Sequence, residues 1–364
     1  MATQHPGSWA ADAIQRILED GLGLTPTPLR ALSLPAIRDI VIYLKDESAH
    51  PTGSMKHRLV RAMFREAVSR GTIRANTPVV AAGSGAVAVA CAHFARLLGL
   101  EFTAVVPVRT SANALARIEG EGGRFRVGEQ PPAALQQEAR ALAEQLGGHF
   151  LDHFSDAERA VAWCGEPTIA GEIFDQLRGE PHPIPQWIVT GAGTGATSAA
   201  IGRHLRRHGH PTRLAVVDPE NSAYFPAWAS GCDDYTTGMP SRIPGIGRPR
   251  TEPGFLPEVI DLMIPVADAA SIAALRWLRT AAALDAGPAT GTNFWGTCHL
   301  VARMREAGTQ GSIVTMIGDS AGPYRKTHLN AEWVRSQGLD PAPYEADIER
   351  FARTGNWPAG RRSV

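Results

Sequence analysis

Three junctions in the chain carry residue types that could do chemistry. In LKDESAHPTGSMKHRLVRAMFREA an apolar run ends at Glu47, a Pro-Thr-Gly-Ser turn follows, and Lys56 opens an amphipathic stretch. A lysine at a helix start sits beside the helix's positive end. That disfavours the ammonium and lowers the amine's pKa, as an amine that must attack an aldehyde requires. Position alone favours the plainer reading, a solvated lysine in the first turn. In TGAGTGATSAAIGRHLRRHG, the residues Gly191, Gly193, Thr194, Gly195, Ala196 and Thr197 separate an apolar run from a helical one. Small residues let the backbone wrap an anion, and the helix start adds N–H donors and partial positive charge. The owner of such a phosphate stays open. Gly191, Gly193 and Ala196 also fit the dinucleotide pattern G-x-G-x-x-G/A, and Asp218 ends the next strand where a ribose-binding acid would stand, so a nicotinamide-dependent oxidoreductase competes. In SIVTMIGDSAGPYRKTHLN, Asp319 and Ser320 fall at a strand's C-terminal end, where they either face a ligand or cap the following turn.

The elements that must position these residues read as α/β. From Ile40 onward short β-branched or aliphatic runs alternate with longer amphipathic ones, the pattern of βα units in a parallel sheet. Strands are predicted at Asp39–Glu47, Thr77–Ser84, Glu101–Pro107, Gln186–Gly191, Thr212–Pro219 and Ser312–Asp319, each with the continuous apolar centre of a strand buried on both faces. Helices are predicted at His57–Ser69, Val87–Leu98, Ser198–His208 and Ser271–Ala282. Each strand-to-helix junction carries Gly, Ser or Thr, and open parallel sheets bind ligands beyond their C-terminal strand ends. The Gly/Pro/Arg-rich stretch Gly238–Phe255 reads as a long loop, which in a compact domain is more often functional than idle.

Composition narrows the function classes. With 364 residues, two domains or one large one are expected. Hydrophobic residues make up 44% and charged residues 20%, ordinary globular content. Lysine plus arginine equals aspartate plus glutamate at 36 each, so no global field recruits nucleic acid or an anionic membrane, and a small-molecule partner is expected. The N-terminal MATQHPGSWAADAIQRILEDGLGL lacks a signal peptide's apolar core and no uncharged apolar stretch spans a membrane, which points to the cytoplasm. Cys91, Cys164, Cys232 and Cys298 are far apart without a C-x-x-C pair, so they read as reduced thiols rather than a zinc ribbon or disulfide framework, and no metal ligand set is expected.

Taken together, four segments in order resemble the fold-type II pyridoxal 5'-phosphate (PLP) enzymes, the group of cysteine synthase and cystathionine β-synthase. PTGSMKHR resembles their Schiff-base motif, AAGSGAVAVACAHFARLLG their substrate-carboxylate loop, VTGAGTGATSAAIGRHL their phosphate loop, and GDSAGPY the segment whose serine faces the pyridine nitrogen. Joint occurrence in order is more specific than any one motif and reverses the reading of Lys56. KHR after the glycine-serine turn, HFSDAERAVAW, VVDPENSAYFPAW, GIGRPRTEPGFLP and GTNFWG look like the bacterial L-cysteine desulfhydrase branch.

The resemblance implies a tryptophan synthase β-like fold. Its two three-layer open-sheet domains would be residues 39–153, small and mobile, and 1–38 with 154–364, larger and PLP-binding, with the active site between them in a homodimer. It implies that Lys56 carries the cofactor and acts as general base. Gly193, Thr194, Gly195, Ala196 and Thr197 would hold its phosphate, Ser84 would stand beside its phenolic oxygen, and Ser320 would face its ring nitrogen. Ala82, Gly83, Gly85 and His153 would meet the substrate carboxylate, and Gly245 and Ile246 the substrate amine. The implied reaction is β-elimination on cysteine or a related amino acid, with β-replacement on a modified amino acid as the alternative. The chain departs from the family where Ala82 and Gly85 stand at positions that usually bear hydroxyls, and His153 where glutamine is common. These changes fit either a re-cut substrate site or a catalytically weakened relative.

Overall fold

The computed structural model describes residues 6–20, 25–129, 134–157 and 168–357. Parts of the N-terminal segment, residues 158–163 of HFSDAERAVAW, and Cys164 lie outside the described residues. The chain divides into two compact units, residues 1–26 with 50–165 and residues 27–49 with 166–364.

The first unit is built on a four-stranded parallel sheet. Its strands are β3 (Val79–Ala82), β4 (Phe102–Val106), β5 (Arg124–Val127) and β6 (His149–Phe150), in the order β5-β4-β3-β6. Helices α2 (Lys56–Ser69), α3 (Ala86–Leu98), α4 (Ala112–Gly120) and α5 (Leu135–Gln145) flank it, and α1 (Pro6–Glu19) packs on α2 and α3. The second unit has six strands, β1 (Leu29–Leu32), β2 (Ile40–Asp46), β7 (Trp187–Gly191), β8 (Arg213–Pro219), β9 (Leu262–Val266) and β10 (Gly311–Ile317), in the order β1-β2-β10-β7-β8-β9. All pairs are parallel except β1 with β2.

The continuous apolar runs of the second unit's strands are explained by two cores, one on each sheet face. Side chains alternate along a strand. Ile42, Leu44, Val189, Ala215 and Val217 therefore enter one core with α9 (Asp268–Ala281) and α10 (Pro288–Glu306). Tyr43, Ile188, Leu214 and Val216 enter the other with α6 (Ile169–Leu177) and α7 (Ala196–His208). Helix α10 carries no helical apolar stripe because it is buried almost all round, so pattern reading passed over it. Gly291 on it is required by contact, since a Cβ there would stand 2.0 Å from the Ser271 carbonyl oxygen.

Each of the ten strands and helices expected from the sequence is present, with ends shifted by a few residues. The division of the chain differs from the expected boundary at Asp39 in two segments. Strand β2 pairs with β10 from Ile40↔Gly311 to Asp46↔Ile317 and so belongs to the six-stranded sheet, while α1 belongs with α2 and α3. Among the described residues no helix is long and apolar enough to cross a membrane.

Centring β2 in a sheet buries Lys45 completely. Its Nζ donates to Glu172 Oε2 on α6, to Gln176 Oε1 and to the Thr27 carbonyl, each at 2.8 Å, which uses all three ammonium protons. Removing one partner of such a pair leaves an uncompensated buried charge. Lys45→Met should therefore lower the unfolding free energy by about 3–5 kcal/mol, and Lys45→Met combined with Glu172→Leu should recover most of it. Urea unfolding measures both. A single-variant loss no larger than that of the double variant would contradict the assignment.

Asp218 at the end of β8 does not stand where a ribose could reach it. It is buried, and its Oδ2 accepts the Phe225 N–H at 2.7 Å, capping α8 (Tyr224–Ser230), while among the described residues Oδ1 has no hydrogen-bond partner. Burial pushes its carboxyl up to about 7, against the hydrogen bonds from Ser222 and Phe225. Between about pH 4 and 7 the native state thus keeps a proton that the unfolded chain has released. Stability falls through this group by up to about 1.4 kcal/mol per pH unit as pH rises, and levels off above 7. Asp218→Asn should remove that component, so that the variant gains on the wild type between pH 5 and 7.5 in chemical unfolding. Parallel stability curves would refute the shift.

Candidate active site

Each unit carries part of the expected residue set. In the first, the Pro-Thr-Gly-Ser turn is fixed by Gly53, whose φ of 69° is left-handed and whose N–H donates to the His50 carbonyl at 2.7 Å. Lys56 is the first residue of α2, half-buried, and its backbone N–H reaches Ser54 Oγ at 3.3 Å. The amine is thus rooted at the helix's positive end, as expected.

The Ala82–Gly85 loop leaves β3 and enters α3. Gly83 has φ 108°, and the helix opens at Gly85 with no side-chain cap. The hydroxyl of Ser84 is therefore not spent on capping, and the first amides of α3 are left to accept an anion. A Cβ at Gly85 would meet nothing within 4 Å, and its φ of −87° suits any residue. His153 comes to the neighbouring strand end. Strand β6 runs parallel to β3 with His149↔Val79, Leu151 N–H donates to the Val80 carbonyl at 2.8 Å, and the chain then turns at Asp152. Asp152 Oδ1 accepts from the amides of Phe154 and Ser155, both at 3.1 Å, and its Oδ2 accepts from Arg140 at 2.9 Å. That turn fixes His153, buried with its ring 4.2 Å from Phe154.

In the second unit the loop from Gly191 to Thr197 joins β7 to α7. Gly195 has φ 84°, and a Cβ on it would lie 2.1 Å from the Gly254 carbonyl oxygen. Gly191 is pressed by Ile246, whose Cγ2 would be 2.6 Å from a Cβ there. The long loop 238–255 is therefore the outer wall of this turn. It is tied down by Gly247 N–H to the Ala192 carbonyl at 2.8 Å, and Gly245 stands in it with φ 87° and open space where a side chain would be. Tyr224, which sequence reading missed, donates its hydroxyl to the Gly193 carbonyl at 2.6 Å; it lies far along the chain and no spacing rule links the two.

A phosphate fits this turn. Among the described residues the amides of Gly193, Thr194, Gly195 and Thr197 find no backbone acceptor, while the Gly193 and Ala192 carbonyls, which would repel an anion, are held by Tyr224 and Gly247. The start of α7 adds its positive end. At the end of β10, Asp319 takes the turn-capping role. Its carboxylate accepts the Tyr324 hydroxyl, and its carbonyl accepts Gly287 N–H at 2.8 Å. Ser320 pairs with Ala286 in an antiparallel bridge, and its side chain is half-buried.

An L-cysteine desulfhydrase of Mycobacterium tuberculosis is 49% identical over 354 residues, covering 96% of both chains. An N-(2-amino-2-carboxyethyl)-L-glutamate synthase of Ralstonia nicotianae is 27% identical, covering 88% of this chain and 91% of its own. Among solved structures, an O-ureido-L-serine synthase superposes with a TM-score of 0.73 over 86% of this chain and 93% of its own at 24% identity, a likeness of fold. The family described as pyridoxal-phosphate dependent enzyme matches residues 21–319, which with a glycine turn suited to phosphate and a lysine at a helix start makes this chain a member of that family.

Proposed function

We propose that the chain is a carbon–sulfur lyase that eliminates the β-substituent of cysteine or a related amino acid, converting L-cysteine and water to sulfide, pyruvate and ammonia. The observation that carries the substrate class is the 49% identity over 96% of the chain with an L-cysteine desulfhydrase. When bound, PLP supplies an electron sink for the pair left at Cα once the α-proton departs. The chain's own residues do the rest. The Lys56 amine holds the cofactor and then takes the α-proton. The amides and hydroxyls of Gly193 to Thr197 hold the phosphate, the neutral hydroxyl of Ser320 faces the ring nitrogen, and Ser84 the phenolic oxygen. The Ala82–Gly85 loop with His153 orients the substrate carboxylate, and Gly245 with Ile246 lies by its amine. The homodimer and cytoplasmic setting implied by the family resemblance belong to the same reading.

Elimination among the lysines supports Lys56. The chain has only three, at 45, 56 and 326. Lys45 is buried with its ammonium fully engaged, and Lys326 is exposed on the turn after Tyr324. Borohydride reduction followed by peptide mapping should find the pyridoxyl adduct on Lys56 alone. Lys56→Ala should cut sulfide release from L-cysteine by at least about 10²–10⁴-fold while leaving the unfolding midpoint unchanged. An adduct on Lys45 or Lys326 would overturn the assignment.

A second reading, β-replacement on a larger or modified amino acid, has one observation in its favour. Where relatives supply hydroxyls this chain has Ala82 and Gly85, and the space over Gly85 is open. Each missing hydrogen bond to a carboxylate is worth about 1.5–3 kcal/mol. On this reading Ala82→Ser with Gly85→Thr should raise kcat/KM for free L-cysteine by about tenfold or more and lower it for bulky S-substituted cysteines. Wild-type efficiency on free cysteine equal to that of the variant would mean the hydroxyls are dispensable and elimination from cysteine is the native reaction.

A further inference from the structure

The first unit contains a polar cluster that neither the fold nor the proposed chemistry uses. Asp20 follows α1, His57 is the second residue of α2, and His93 lies within α3. His93 Nε2 stands 3.0 Å from Asp20 Oδ1 and 3.1 Å from Oδ2, and His57 Nε2 stands 3.1 Å from Oδ2. One ligand atom from each residue lies within 4.8 Å of the other two.

Two features distinguish this cluster from an ordinary hydrogen-bonded one. His57 is 0% exposed, yet among the described residues its Nε2 makes no hydrogen bond, because the Asp20 oxygen lies near it but off the N–H direction. A buried ring nitrogen left beside a carboxylate without bonding to it calls for a partner that can serve both. The opposite nitrogens are both engaged, His93 Nδ1 with Glu121 Oε2 at 3.0 Å and His57 Nδ1 with Thr52 Oγ1 at 3.4 Å. Glu121 is itself gripped by Arg96 at 2.7 Å. Outer partners of this kind on the far nitrogen fix the tautomer and aim of metal-ligating histidines. The two imidazole-to-carboxylate separations, 3.0–3.1 Å, also approach the roughly 3.3 Å edge of a tetrahedron with 2.0–2.1 Å bonds.

We propose that Asp20, His57 and His93 form a site for a divalent ion of the zinc class, with solvent as fourth ligand. Two imidazoles and one carboxylate suit zinc or a neighbouring first-row ion and not calcium or magnesium, which prefer all-oxygen sites. The ion ties the end of α1 to the start of α2, next to Lys56, and to α3. It is a structural clasp, and the inference is independent of which amino acid the enzyme cleaves.

The test uses the full-length protein with PLP bound, stripped with dipicolinate and dialysed. Zinc titrated against a chromophoric chelator should bind at about one equivalent per chain and raise the thermal midpoint by several degrees. Cobalt(II) should give the intense visible bands of a four-coordinate N/O site. His93→Ala and Asp20→Asn should each weaken binding at least 100-fold and abolish those bands, whereas Cys232→Ser, remote from the cluster in sequence, should leave both unchanged. If the stripped wild type binds no stoichiometric zinc and cobalt keeps its aqueous spectrum, the cluster is only a hydrogen-bond network. Binding that survives in both variants would place the ion elsewhere and equally overturn the site. The wild-type measurements stand even if a variant fails to fold.

Discussion

A strand buried on both faces has nowhere along its length for polar chemistry, so the work of such a sheet is pushed to the strand ends, where helix starts offer amides without internal partners. That constraint governs both units. In the six-stranded sheet the two faces are filled by two separate cores, and the turns at Gly191–Thr197 and Asp319–Ser320 are what remains at the C-terminal edge. In the four-stranded sheet, β3 ends in Ala82–Gly85 and its neighbour β6 leads into His153. The residues able to hold an anion gather there because unpaired N–H groups and small residues gather there.

Holding such turns open requires packing from outside them. Gly191 and Gly195 have backbone neighbours or an isoleucine where a side chain would be, and the closing contacts come from the loop 238–255 and from Tyr224. The carbonyls that would otherwise point at an anion are turned into acceptors for Gly247 and Tyr224. A loop rich in glycine, proline and arginine thus serves as a wall, which explains why so long an irregular stretch persists in a compact unit.

The sequence made legible whatever depends on local pattern. Strand runs, helix starts and glycine turns announce themselves in a few consecutive residues, and the four motifs resembling the PLP enzymes are of that kind. Three things were not legible. Helix α10 has no polar face to give it a period, the placement of β2 depends on its pairing with β10, and Tyr224 reaches Gly193 across more than one element. Asp218 misled for a related reason: a strand-terminal acid looks the same on paper whether it faces a ligand or caps the next helix from the interior. The Asp20, His57 and His93 cluster draws one residue from the end of α1, one from α2 and one from α3, a spacing no metal motif describes.

The three lysines carry the same point into chemistry. Lys45 and Lys56 lie only eleven positions apart, and the amine is identical in each. Buried among Glu172, Gln176 and the Thr27 carbonyl, the first is held as a cation with every proton committed, so it has no lone pair to offer an aldehyde. At the head of α2 the second meets the positive end of a helix, which penalises the ammonium and favours the free amine. Lys326 lies exposed, away from any helix start. On the proposed assignment nucleophilicity is a property of position, and the fold supplies that position by ending a buried strand and starting a helix within ten residues.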